Sequence, residues 1–379
     1  MTAPRRKLWL DWQRGFAVLF MVEVHVLNAW LRPDARQGLG YAVLNMIGGF
    51  AAPGFLYMAG LSQGLADAAQ AAKGVAAAER RRLAVRRGLW LLGVAYGFRL
   101  AEYLLGYAPA LAHGWWDALR QGFTGVLKVD VLNVIAVGMI VSALLAVGRG
   151  ARGAALAGAA ALAVALATPA VAGALGGYDL SPGGGPPLRV APGMLADHAL
   201  SYLWGAWPRA QFSLFNWVAF LLAGAALAPL ARGPSRPALW LALAAGLYGL
   251  GWWADRWPPF YAHQDFWLTS PSWFLMRLGI CAALTGVLQL LPDALEAPLR
   301  WLTLLGRQSL VGYIASVELT YGAAASALQG ALSFRATAWG IAAMTGVTWG
   351  VSVAWERLQT WRKARARAAI PPATPPAAA

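Results

Sequence analysis

Residues 8–30 read LWLDWQRGFAVLFMVEVHVLNAW. At 1.5 Å per residue a helix over this stretch is long enough for a hydrocarbon core of about 30 Å. Four ionisable groups, Asp11, Arg14, Glu23 and His25, interrupt the apolar run. No small-residue cleavage site of the Ala-x-Ala kind follows it, so the span is expected to be retained rather than removed as a signal. Ionisable groups at membrane depth are costly and mark functional candidates. At 100° per residue, Asp11, Arg14, His25 and Asn28 fall within about 100° of one another and form one stripe. The imidazole sits about 20 Å beyond Asp11 along that stripe. Glu23 points nearly the opposite way, and the sequence offers no account of it.

Working outward, nine further apolar runs follow at 39–62, 88–106, 126–147, 154–175, 213–231, 238–255, 271–291, 309–330 and 337–356. Hydrophobic residues make up 59% of the chain and charged residues only 12%, against about 45–50% and about 25% in a soluble domain. The surplus apolar surface needs a lipid solvent. The 20 tryptophans suit rings placed at two membrane interfaces. The expected fold is all-α: a polytopic integral membrane helical bundle of about ten transmembrane helices.

The net charge of +15 does not point to nucleic acid, because the basic residues cluster between alternate apolar runs. They concentrate at Arg5–Lys7, in 63–87, and after Arg357. That is the positive-inside pattern, with both termini cytoplasmic. The segment 63–87 reads as a cytoplasmic helix along the headgroups. The Gly/Pro-rich stretch 176–200 reads as an irregular outward loop, and the aromatic loop 256–270 as a rim over a cavity. Residues 1–367 form one membrane domain, and the Ala/Pro-rich tail 368–379 is expected to be disordered. The sole cysteine, Cys281, permits no internal disulfide and no thiol metal site, and reads as a buried small hydrophobe.

Further intramembrane charges are Arg99 and Glu102, three apart and able to pair, Lys128 and Asp130 with Asn133, then Arg277 and Glu318. Their bland reading is ion pairing that stabilises the bundle; for His25 it is a hydrogen bond between helices. Gly60-Leu61-Ser62-Gln63-Gly64 matches a nucleophile elbow, but that turn needs a preceding strand, and an apolar helix precedes it here. The pairs Gly93/Gly97 and Gly346/Gly350 read as helix-packing motifs. His113, His198 and His263 stand isolated in outward connections and read as solvated or interfacial. There is no Walker loop, Rossmann fingerprint or metal-ligand cluster.

Leu10-Asp11-Trp12-Gln13-Arg14-Gly15 followed by Met21-Val22-Glu23-Val24-His25 resembles the opening of the transmembrane acyltransferase superfamily. There an Arg-Gly pair precedes a histidine by the same spacing. Further stretches look more like the heparan-α-glucosaminide N-acetyltransferase catalytic-domain family: Ala52 to Gly60, Lys128 to Ile135, Leu214 to Trp217, and Leu305 to Leu310 with Tyr313. The resemblance covers about residues 6–330. It departs at Ser316, where many bacterial relatives carry a histidine.

The resemblance implies an enzyme that moves an acetyl or other acyl group from cytoplasmic acyl-CoA to a sugar amine or hydroxyl, or another small-molecule acceptor, at the outer face. His25 would be the base that deprotonates the acceptor, with Asp11, Arg14 and Asp130 in its catalytic setting. Arg14 would hold the first span or meet the thioester region. Arg81, Arg82, Arg86 and Arg87 would bind CoA phosphates, or else serve as topology determinants at the headgroups. The implied co-substrate is acetyl-CoA or another acyl-CoA, without a metal. The expected partners are the lipid bilayer, acyl-CoA and a glycan or small-molecule acceptor, in a bacterial inner membrane; a homodimer stays open. The rival classes are a secondary transporter or lipid flippase with a polar pathway, and a scaffold whose charges only pair.

Overall fold

Apolar runs in this chain become helices because each can satisfy its own backbone hydrogen bonds without water. The computed structural model describes residues 7–175, 193–205, 211–261 and 264–368. The first helix, α1, spans Leu8–Trp30. Two shorter pieces of one apolar stretch follow as α2 (Gly38–Gly48) and α3 (Ala51–Ala71). A long α4 (Ala77–Gly106) leads to two short helices, α5 (Ala108–His113) and α6 (Trp116–Phe123). Next come α7 (Val131–Leu145), α8 (Gly150–Ala174) and α9 (Gly193–Leu203). The second half holds α10 (Leu214–Arg232), α11 (Pro237–Ala254) and α12 (Pro271–Leu290). It closes with α13 (Arg300–Arg307), α14 (Ser309–Tyr321) and α15 (Phe334–Ala368). Among the described residues there is no strand, and extended backbone pairs once, in a parallel bridge between Leu31 and Leu332.

Each of the ten apolar runs falls on helix. Among the described residues, four helical stretches are long and apolar enough to cross a membrane by length and composition: Gly38–Ala71, Gly150–Ala174, Leu214–Arg232 and Pro271–Leu290. They indicate a bilayer environment. Stops and starts follow local chemistry. Proline opens α11 and α12 at the first helical position, and the Ser270 hydroxyl caps α12 by accepting from Ser272 N. Asp130 and Asn133 form a capping box at the start of α7. In α10 the helix is broken at Phe215–Asn216, and Asn216 carries φ +77°. Asn tolerates that left-handed conformation, and its amide donates to Leu268 O at 2.5 Å.

Two backbone crossings set the frame. Where α3 meets α10, a Cβ on Gly60 would lie 1.8 Å from Leu221 O, and one on Gly224 would lie 2.1 Å from Tyr57 O. Where α1 meets α13, a Cβ on Gly306 would lie 1.9 Å from Asp11 O, and one on Gly15 would lie 2.4 Å from Leu302 O. Only glycine permits such approach. The Gly60–Gly64 stretch is therefore a helix crossing, with Gly64 against Ala228. The Trp12 indole locks the α1–α13 contact by donating to Thr303 Oγ1 at 3.1 Å.

Three expectations need correction. Gly93, Gly97, Gly346 and Gly350 face open space: among the described residues no atom of another element stands within 4 Å of the place a Cβ would take. The segment 63–87 is not a separate surface helix: α3 continues to Ala71, a turn follows, and the arginines occupy the first turns of the unbroken α4. Residues 193–200, read as part of an irregular loop, are helical in α9, whereas the 256–270 loop does frame a cleft, of about 460 Å³, with Trp253, Trp257 and Phe260. Part of the expected outward loop (176–192), His263 and the tail from 369 onward lie outside the described residues.

Candidate functional site

His25 sits near the C-terminal end of α1, half-buried, facing α14. Its Nδ1 lies 3.3 Å from Ser316 Oγ. The Ser316 hydroxyl donates to Tyr313 O at 3.0 Å, so toward the imidazole it offers a lone pair. Nδ1 is then the protonated nitrogen, and Nε2 carries the free lone pair a base needs. Two tyrosines wall the ring edge-on, Tyr313 at 6.3 Å and Tyr321 at 5.5 Å between centroids.

Tyr313 links this imidazole to a buried ion cluster. Its hydroxyl donates to Asp130 Oδ2 at 2.8 Å. The same oxygen takes the Arg99 guanidinium, which also holds Glu102 at 2.6 Å. The second Asp130 oxygen accepts from Val131 N at 2.6 Å. A carboxylate so surrounded stays ionised, because removing it from water is offset by an opposite charge and three hydrogen-bond donors. The expected Arg99–Glu102 pair thus forms, but as part of a larger cluster centred on Asp130. The network continues outward: Asn133 Nδ2 donates to Tyr202 Oη at 3.0 Å, Tyr202 and Tyr96 hydroxyls meet at 2.5 Å, and Tyr96 Oη lies 2.8 Å from His198 Nε2.

On the other side of Tyr313 opens a cavity of about 790 Å³, walled by α3, α4, α7, α14 and α15. Most of its wall is apolar, including Phe55, Met58, Leu91, Val94, Ile135 and Ile314. One end is cationic: Arg14, Arg80, Arg87 and Arg307 line it with the single acid Asp67. Arg14 donates to Ser62 Oγ, which in turn donates to Met58 O at 2.5 Å. Arg80 is tied to Asp67 at 2.9 Å, and Arg307 to Glu356 at 3.0 Å. Arg14 and His25 lie on the same helix, eleven residues or about 16 Å apart, so α1 runs from the cationic end of the cavity to the imidazole.

No protein-family model matches the chain, and neither a curated protein nor a solved structure matches it. The site rests on its own geometry. Three of the stretches singled out in the sequence meet at this cavity: 52–60, 128–135 and 305–310 each contribute lining residues, whereas 214–217 lies at the α10 break.

The expected residues divide accordingly. Arg14 lines the cavity, whereas His25 and Asp130 do not and reach it only through Tyr313, which packs edge-on against the imidazole and donates to the carboxylate. Asp11 is buried against α13 at the crossing with Gly306 and does not line the cavity. Asn28, the last member of the stripe, is exposed. Of the four arginines assigned to phosphate, only Arg87 lines the cavity; Arg81, Arg82 and Arg86 point elsewhere around α4, and Arg82 pairs with Glu79 at 3.7 Å. The local run of like charges could not distinguish them, since successive residues turn by 100°. Tyr96, Tyr202 and Tyr321 had no signal in the sequence beyond being aromatic in an aromatic-rich chain. His198, read as an isolated histidine, is tied into the tyrosine network.

Glu23 lies on the opposite side of α1. Both of its carboxylate oxygens are buried with no hydrogen-bond partner among the described residues, and it abuts Gly48 at the α2–α3 break. Across that break Arg277 stacks over Phe50 at 4.1 Å and reaches Met46 O at 3.5 Å. Among the described residues no three His, Cys, Asp or Glu side chains come together as a metal site.

Proposed function

We propose that the protein is a membrane-embedded acyltransferase that takes an acyl group from acyl-CoA on the cytoplasmic side and delivers it to an amine or hydroxyl acceptor, such as a sugar, at the outer side. One observation carries this reading: the cavity has arginines at one end and Tyr313 at the other, and Tyr313 contacts both His25 and Asp130. A phosphate-bearing, flexible donor suits such a cavity, because arginine forks match phosphate oxygens and the apolar wall accepts a slender arm.

In the proposed reaction His25 Nε2 removes the proton from the acceptor's O–H or N–H. The freed oxygen or nitrogen lone pair attacks the thioester carbon, and the carbon–sulfur bond breaks. The CoA sulfur leaves with that electron pair and receives the proton from His25. A positioned base of this kind contributes about a hundred- to ten-thousand-fold in rate. Tyr313 and Asp130 orient the site, and the Arg14 guanidinium holds the inner end of the donor arm. The topology that accompanies this reading is about ten crossings of a bacterial inner membrane, with both termini cytoplasmic and basic segments inside. The family that the sequence resembles carries out this class of reaction.

A second reading, a secondary transporter, is favoured by one feature: the broken α2–α3 and α10 helices, the first flanked by Glu23 and Arg277. Discontinuous helices with buried charges are typical of transport sites.

The deciding experiment incubates purified protein with labelled acetyl-CoA and longer acyl-CoAs across amine, hydroxyl and sugar acceptors, following CoA release. Turnover is expected, and His25→Ala is expected to abolish it while leaving the melting profile intact. No turnover, together with no CoA binding by calorimetry, would reject the enzyme and leave transport assays in proteoliposomes as the next step. Full activity in His25→Ala would remove that residue from the base role.

A further inference from the structure

His198 stands on α9, outside the apolar spans, yet every polar atom between it and Asp130 is engaged. Donor and acceptor bookkeeping gives the chain a direction. Asn133 Oδ1 accepts from Asp130 N at 3.2 Å, so its amide nitrogen is the end that donates to Tyr202 Oη. The Tyr202 hydroxyl then donates to Tyr96 Oη, and the Tyr96 hydroxyl donates to His198 Nε2. A backbone hydrogen bond joins the ring to Leu127; since Nε2 faces Tyr96, it falls to Nδ1–H, which donates to that carbonyl. Every member is satisfied only while His198 is neutral.

We propose that Tyr96, Tyr202 and His198 are positioning residues that hold the Asp130–Asn133 cap of α7 in place for acyl transfer, and that transfer requires the neutral form of His198. The proposal rests on the acyltransferase reading and adds to it a pH-dependent control. On protonation Nε2–H becomes a donor and Tyr96 must accept. The Tyr96 hydroxyl then turns toward Tyr202, whose two lone pairs are taken by Tyr96 and Asn133. The Tyr202 proton is left without an acceptor in this network. One hydrogen bond is lost, and the strap between α4, α9 and the α7 cap loosens.

The groups that face His198 are Tyr96 from α4, the Leu127 carbonyl from the turn before α7, and Tyr202 from its own helix. The charged groups on the adjoining elements, Arg99 and Glu102 on α4 with Lys128 and Asp130 before α7, balance one another in sign. Burial pushes the His198 imidazole below its ordinary value of about 6.5. The sign of the coupling follows from the geometry. Tyr96 donates to the neutral ring and stabilises it, so removing that hydroxyl lets the titration midpoint rise.

The test uses the full chain in nanodiscs with ¹⁵N-labelled histidine, the His198 signal being assigned by its loss in His198→Gln. The wild type is expected to show the Nδ1–H tautomer at His198, titrating below 6.5, and Tyr96→Phe is expected to raise that midpoint. In parallel, kcat/KM should show an acid limb that tracks the His198 titration, moves up in Tyr96→Phe and is lost in His198→Gln, leaving only the separate limb of the His25 base. At neutral pH the Tyr96→Phe rate should drop about three- to tenfold, the worth of one hydrogen bond, with CoA affinity by calorimetry unchanged. An Nε2–H tautomer, an unmoved titration in Tyr96→Phe, or an acid limb identical in wild type and His198→Gln would each overturn the proposal. If the wild type neither binds CoA nor turns it over, the acyltransferase reading falls, while the tautomer and titration still decide whether the relay exists.

Discussion

The crossings of α3 with α10 and of α1 with α13 contrast with the walls formed by α4 and α15. At the crossings, glycines bring backbones so close that a single added carbon would lie 1.8–2.4 Å from a carbonyl oxygen. On α4 and α15, the glycine pairs meet nothing among the described residues, and Trp90 and Trp339 are largely exposed. Small residues in a membrane helix therefore have two meanings, and spacing alone does not separate them. The crossings hold α1 and α3 rigid, and with them Arg14, Ser62 and His25. The open walls enclose a cavity that no described side chain fills. Arg14, Ser62 and His25 stand on the closely crossed helices, while Arg87, Tyr96 and Arg99 stand on α4, whose Gly93 and Gly97 meet no neighbour among the described residues.

The largest effect expected from breaking this contrast is at Gly60. Gly60→Leu should leave little folded protein, since the side chain would collide with Leu221 backbone; overpacking costs about 1–3 kcal/mol even where neighbours can shift. The yield of monodisperse protein in detergent and its thermal midpoint check this. A stable Gly60→Leu protein would show that the two backbones can part without cost.

Next in size is Asp130→Ala. It strips Arg99 of its buried partner, leaves only the part-exposed Glu102, and should cost up to about 3 kcal/mol, the low end of the penalty for an uncompensated buried charge. Asp130→Ala with Arg99→Met should recover part of that loss in the same melting assay, because the partly compensated buried charge is then gone.

Smaller, and specific to the cavity, is Arg87→Ala. If the cationic end binds donor phosphate, CoA affinity should weaken by about ten- to a hundredfold, as for one charge-assisted hydrogen bond of about 1.5–3 kcal/mol. Arg81→Ala, Arg82→Ala and Arg86→Ala should leave it within about twofold of wild type, because none of them lines the cavity. Calorimetry on the four variants distinguishes a docked phosphate from a general attraction to positive charge.

The smallest effect is expected at Gly93→Ala and Gly346→Ala, which should shift the melting free energy by no more than about 0.5 kcal/mol. A loss of several kcal/mol at either position would mean that a second molecule covers that face.

Much of this molecule was legible one segment at a time. The ten apolar runs became helices, and the polar stripe of α1 placed Arg14 and His25 on a common side. Arg99 found Glu102 three residues away, as a helical turn requires. What escaped was set by contacts remote in sequence. Ser316 meets His25 across 291 residues, Tyr313 meets Asp130 across 183, and Tyr96 meets His198 across 102. Each residue in isolation reads as an ordinary serine, tyrosine or interfacial histidine. The arginine cluster misled for the converse reason: its members are adjacent in sequence but radiate around α4.

By itself the sequence determined the helical fold class and the need for lipid, because both depend on local composition and on hydrogen bonds satisfied within each segment. It also nominated the first span as the one that carries chemistry, since charges in an apolar run are costly wherever they fall. Only the tertiary structure decided which arginine faces the cavity, which glycines lock helices, and that a tyrosine joins the imidazole to a carboxylate. Those outcomes depend on rotation about each helix axis and on which helices become neighbours. Packing among distant segments sets both.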